Sequence, residues 1–112
     1  MRAGDVLSVD FGRPHGSEAG LVHPAVVVTA DELLVEVRTL QVVPVTSNVD
    51  RGYLTDVPVE ADGLDVASVG QCHLVTTIDA VQILADDLGN VGTVTLRQLR
   101  SVLADLLDVE TY

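Results

Sequence analysis

The chain contains no lysine, and its six arginines face 17 acidic residues for a formal net charge of −11. Such a balance repels polyanions at long range, because phosphate binding depends on local positive charge. Either the arginines gather at one groove, or nucleic acid is not the ligand. Cysteine is nearly absent as well. The single Cys72 cannot form an intramolecular disulfide, fits a reducing compartment, and cannot build a zinc site alone. It reads as a small buried apolar residue. No apolar run approaches the roughly 18 residues that would span a membrane. Met1-Arg2-Ala3-Gly4-Asp5 leads straight into a short strand instead of a signal peptide, so the expected location is the cytoplasm. There is no internal repeat, low-complexity tract or linker, and a single domain over 1–112 is expected.

Valine, by contrast, is abundant: 22 of 112 residues, within a hydrophobic content of 47%. A branched Cβ fits a pleated surface, so the composition favours strands and supplies a real core. Val6 to Asp10 alternates apolar and polar and predicts a first strand. Gly12 to Gly20, rich in Gly, predicts a long loop. Ala25 to Thr29 is almost wholly apolar, which predicts a second strand, central or buried on both faces. Asp31 to Leu40 is ambiguous, since Leu34-Val35-Glu36-Val37-Arg38 suits a strand or a short helical remnant. Gln41 to Thr46 predicts a third strand, broken by Asp50-Arg51-Gly52. Leu54 to Val59 predicts an edge strand, because Pro58 lacks a ladder donor. A turn at Ala61-Asp62-Gly63 precedes Ala67 to Cys72 and Val75 to Leu84, which hold two further strands around His73.

The last segment follows a different period. Leu96, Leu99, Val102, Leu103, Leu106 and Leu107 fall on one helical stripe, core first and partner surface second. Thr95 with Gln98 three residues on has the form of a capping box, so the helix is predicted over Leu96 to Asp108. The simplest packing is mainly β (α+β): a strongly curved antiparallel sheet or small SH3-like barrel closed by one long C-terminal helix.

Several short motifs, in order, carry a family resemblance. Arg2-Ala3-Gly4-Asp5-Val6 opens the chain, and Gly16-Ser17-Glu18 lies in the loop. His23-Pro24-Ala25-Val26-Val27-Val28 follows, then Val43-Pro44-Val45-Thr46-Ser47, Thr76-Thr77-Ile78-Asp79 and Leu106-Leu107-Asp108-Val109. Together they resemble the MazF/PemK/Kid toxin endoribonucleases across nearly the whole chain. The resemblance implies an SH3-like barrel, a homodimer, a cognate antitoxin partner, no cofactor or metal, and cleavage of single-stranded mRNA by 2′-hydroxyl attack on the adjacent phosphate. It also implies that an arginine before the strand proline is catalytic and that the strand-end threonine holds phosphate. Here the arginine position is His23, the acid is His73, the following glutamine is Leu74, and the arginine of Arg-Thr-Ile-Asp is Thr76. Gln71 stands where some relatives carry a basic residue.

The catalytic candidates are therefore His23, Thr46 and His73. Imidazole titrates near neutral pH and can serve as general base and acid, provided that both rings reach one groove. The plainer alternative is that His23 packs beside Pro24, His73 sits at a strand edge, and His15 is solvated. Thr46 and Ser47 suit phosphate binding and equally suit a turn cap. Ser17, Glu18, Asn48, Arg13 and Arg51 complete the substrate-binding candidates, with Glu18 also suited to ordering its loop and the arginines to ordinary solvated charges. Two functions from different classes follow. One is the toxin ribonuclease with altered catalytic groups, whose antitoxin segment would be less acidic than usual or even basic. The other is a catalytically degenerate dimer of the same fold that acts as a protein-binding module. Inhibition of a protein target is a third, for which the chain offers no motif.

Overall fold

The computed structural model describes residues 1–12, 22–35 and 38–110. Among the described residues there are seven strands: β1 (Val6–Asp10), β2 (Val22–Val27), β3 (Thr39–Thr46), β4 (Asp56–Val59), β5 (Ser68–Gln71), β6 (Thr76–Asp79) and β7 (Ile83–Ala85). All neighbours pair antiparallel in the order β4-β5-β3-β2-β1-β7. The strand β3 is long enough to serve two partners on one side: Thr39 to Val42 pair with β6, and Val45 and Thr46 pair with β5. It is the hub of the sheet. One helix, α1 (Gly92–Leu106), follows β7. The mainly β architecture with a single C-terminal helix is the one expected.

Period-two alternation explains how the sheet is filled. Val6, Val26, Val43 and Val45 point to one face, where they meet Val57, Val59, Cys72 and the fully buried Leu99 of α1. Leu7, Val9, Ala25, Val27, Leu40 and Val42 point to the other and enclose a second cluster with Ile78. Alternate side chains of a strand face opposite ways, so β1, β2 and β3 send apolar residues to both faces because both are covered. The helix lies very close to β5. A Cβ on Gly70 would stand 3.0 Å from Leu99 Cδ2 and 3.3 Å from Val43 Cγ1, so a side chain here would push against the helix. Pro58 is on β4, which is an edge strand and pairs only with β5.

Three expectations need correction, and one open segment resolves in part. The second strand is Val22–Val27, earlier than Ala25 to Thr29; beyond Val27 the chain hands its hydrogen bonds to Gln41, whose N–H donates to Thr29 Oγ1 at 2.7 Å. The ambiguous segment holds a 3₁₀ turn, Asp31–Leu33, and gives its last residues, Thr39 and Leu40, to β3; Glu36 and Val37 lie outside the described residues. The stretch from Val75 to Leu84 contributes to two strands, β6 and β7, separated by a 3₁₀ turn at Ala80–Gln82. That turn carries a true capping box: Asp79 accepts from Val81 N–H at 3.0 Å, and Gln82 Oε1 accepts from Asp79 N–H at 2.8 Å. Finally, α1 starts at Gly92, so Thr95 and Gln98 lie inside it and cap nothing. Its first turn is held instead by Asn90, whose Oδ1 accepts from Gly92 N–H at 2.7 Å while its Nδ2 donates to Ala3 O and Asp5 Oδ1. The leucine stripe overshoots the sheet. Leu96, Val102 and Leu103 pack on the core, but Leu107 is 71% exposed.

Candidate active site

The strand order sets the site. His23 is the second residue of β2 and pairs with Val9, half-buried at the end of the sheet. Pro44 sits on the adjacent β3, opposite Ala25. Gln71 ends β5, and the chain then tightens into a 3₁₀ turn, Cys72–Leu74, that turns His73 outward while Cys72 is fully buried. The turn carries the chain from β5 to β6, both partners of β3, so His73 must return to the neighbourhood of Pro44. A groove of about 380 Å³ results, with Phe11, His23 and Pro44 among its walls. Gln71, His73 and Leu74 to Thr76 complete it. The two histidines, distant in sequence, thus line one cavity.

Neighbours outside the groove grip His73. Thr55 Oγ1 lies 3.3 Å from His73 Nδ1, and the Tyr53 ring stands 4.7 Å from the imidazole, centroid to centroid, at a tilt of 44°. With Nδ1 engaged by the hydroxyl, Nε2 is the ring nitrogen left for a ligand. Behind them, the Asp56 carboxylate accepts from Tyr53 N–H at 3.3 Å through Oδ2, while its buried Oδ1 has no partner. Burial, and then the charge of Asp56, push the Cys72 thiol up from 9.0 to about 11. Thiolate chemistry at Cys72 is thereby suppressed, in keeping with a packing role.

The electrostatics are plain. Among the described residues, none that lines the groove is Asp, Glu, Lys or Arg. Arg2 pairs with Asp5 at 3.9 Å and Arg38 with Asp79 at 3.7 Å. Arg100 donates to the carbonyls of Val28 and Thr29 at 3.1 to 3.3 Å, tying the helix to the end of β2. Among the described residues, no arginine reaches the groove and no group of three or more His, Cys, Asp or Glu is placed to hold a metal ion. No described helix is long and apolar enough to cross a membrane.

Other candidates fall elsewhere. Thr46 is outside the lining; its Oγ1 accepts from Asn48 N–H at 3.1 Å, the turn-capping role, and Ser47 and Asn48 are exposed beyond it. Thr46 shares a face with Pro44, two residues back on β3, so it lies beyond the groove wall on the same side. Arg13, His15, Ser17 and Glu18 lie outside the described residues, as does the side chain of Arg51. Sequence reading missed Phe11, Tyr53 and Thr55. The Thr55–His73 contact spans 18 residues and arises only because β4 and β5 pair.

The fold and the site's order of motifs define a toxin class, and the comparisons agree. The chain belongs to the family described as PemK-like, MazF-like toxin of type II toxin–antitoxin system, matched over residues 2–107. It is 35% identical to endoribonuclease MazF9 of Mycobacterium tuberculosis, over 97% of this chain and 98% of that protein. Its structure is similar to crystalline MazF from Deinococcus radiodurans, with a TM-score of 0.82, 27% identity and 97% of each chain covered. A MazE–MazF crystal structure from the same organism matches with a TM-score of 0.76 and 25% identity, again over 97% of each chain.

Proposed function

We propose that this chain is the toxin of a type II toxin–antitoxin pair, a sequence-specific endoribonuclease that cuts single-stranded mRNA without a metal. The observation that carries the reading is that His23 and His73 line one groove whose described walls carry no fixed charge. RNA supplies its own nucleophile. A neutral imidazole takes the 2′-hydroxyl proton as that oxygen attacks the adjacent phosphorus. A protonated imidazole gives its proton to the departing 5′-oxygen, leaving a 2′,3′-cyclic phosphate and a 5′-hydroxyl. General acid–base transfer of this kind contributes roughly 10²- to 10⁴-fold. His73, held at Nδ1 by Thr55, offers Nε2 to the substrate. Thr46 uses its oxygen as an acceptor for Asn48 N–H and so keeps its own proton to donate to a neighbouring phosphate. Ser47, Asn48, Arg13 and Arg51, with the loop residues Ser17 and Glu18, are assigned to the flanking RNA.

The active unit is taken to be a homodimer, with the cognate antitoxin laying an extended or helical segment across the groove. A net charge of −11 favours a segment that is neutral or basic. Cleavage of a long mixed-sequence RNA in chelator, across pH 5 to 8, tests the reading. The expected result is site-specific cutting whose rate varies over that range, with cyclic-phosphate ends. Cutting that needs an added divalent ion, or yields 3′-hydroxyl ends, would contradict it.

A further inference from the structure

Aromatic residues are scarce: one Phe, two Tyr and no Trp in the whole chain. One lines the candidate groove and another stands just outside it. Phe11 lines it, with its other side against the cluster of Leu7, Val9 and Val27. Tyr53 is 49% exposed and lies against His73. The strand order separates them. His73 follows β5, Pro44 is on β3, His23 is on β2, and Phe11 follows β1. Neighbouring strands are about 4.8 Å apart, so the path across the sheet from β5 to β1 is roughly 14 Å, and in strand order His73 and His23 fall between Tyr53 and Phe11.

We propose that Phe11 and Tyr53 are stacking platforms for two nucleobases of a bound single strand, one at each end of the groove, so that the cleaved phosphate lies between them. This deepens the ribonuclease reading and rests on it. The charge balance supplies the argument. A groove whose described lining holds no arginine or lysine, on a chain of net charge −11, gains little from phosphate attraction. Its binding energy must come from contacts indifferent to charge, and every base has a π-face that an aromatic ring can accept. Tyr53 is half-exposed beside the imidazole, and Phe11 is partly buried against the core behind it. Among the described residues, both rings are therefore held and in part exposed.

The test is binding of a fluorescent 2′-O-methyl RNA oligonucleotide, whose capped 2′-oxygen cannot attack, alongside cleavage of ordinary RNA. Tyr53→Ala is expected to weaken binding about tenfold or more, and Tyr53→Phe to leave it unchanged. Phe11→Leu, which keeps an apolar residue against the core, is expected to weaken it comparably. Raising salt from 50 to 200 mM should cost the parent protein no more than about sevenfold, the loss for the two phosphate contacts open to Arg13 and Arg51. Unchanged binding by Tyr53→Ala and Phe11→Leu, with the parent still cutting RNA, would overturn stacking alone. A salt loss of tenfold or more would overturn it in favour of phosphate pairing by arginines outside the groove. A Tyr53→Ala variant that loses only a protein partner would assign the ring to that interface and also overturn the proposal. A folded parent that neither cuts RNA nor binds the oligonucleotide would overturn the ribonuclease reading itself.

Discussion

The helix-covered core and the histidine groove lie on the same strands and are built by opposite rules. Around Leu99 the clustered side chains are apolar and fully or nearly fully buried, and even a methyl group on Gly70 would press on a neighbour. Around His23 and His73 the walls mix imidazole, amide and hydroxyl with Phe and Pro, and the cavity is left open. Packing decides the first region and chemistry the second. Stability and activity should therefore separate by mutation, although β3 serves both: Val43 and Val45 face the core while Pro44 between them faces the groove.

The strongest way to break the core side of this contrast is Leu99→Ala. Removing a fully buried leucine costs about 2–5 kcal/mol, a large part of the roughly 5–15 kcal/mol of a small domain. Urea unfolding should show that loss, while cleavage per folded molecule stays near the parent's. Gly70→Ala comes next, at about 1–3 kcal/mol, because the new methyl must displace Leu99 or Val43; the same unfolding curves measure it.

Thr55→Val sharpens the other side. It keeps the shape and removes the hydroxyl at His73 Nδ1. Cleavage should fall about tenfold, with an altered pH profile, while the urea midpoint barely moves and Thr55→Ser restores the rate. The smallest effect concerns Cys72. Its pKa is raised in the fold from 9.0 to about 11, so the unfolded chain loses the thiol proton first. Stability is then flat in this group below pH 9 and declines as pH rises from 9 toward 11. Midpoints measured from pH 8 to 11 should show a decline that Cys72→Ala lessens.

The same contrast explains what could be read from the residues. Val42 to Val45 and the leucine stripe of α1 report burial through period alone, and the strands and the helix follow from them. The helix start was misread because Thr95 and Gln98 satisfy a capping spacing that recurs inside helices, whereas the working contact comes from Asn90, bonded also to Ala3 and Asp5 at the other end of the chain. The catalytic candidates His23 and His73 were named from the motifs, but their shared groove depends on β5 and β2 flanking β3, which no local pattern states. Thr55 and Tyr53 had no local signal at all. They reach His73 only through the β4–β5 pairing.

The central claim is that His23 and His73 carry out the proton transfers of RNA cleavage. The most direct measurement is the rate of RNA cleavage in chelator by His23→Ala and by His73→Ala, each checked for a parent-like urea midpoint. The account predicts a loss of roughly 100-fold or more in both variants with the fold intact. Parent-level cleavage by either folded variant would contradict it. So would a folded parent that never cuts RNA at any pH from 5 to 8, which would instead favour a binding module on the same scaffold.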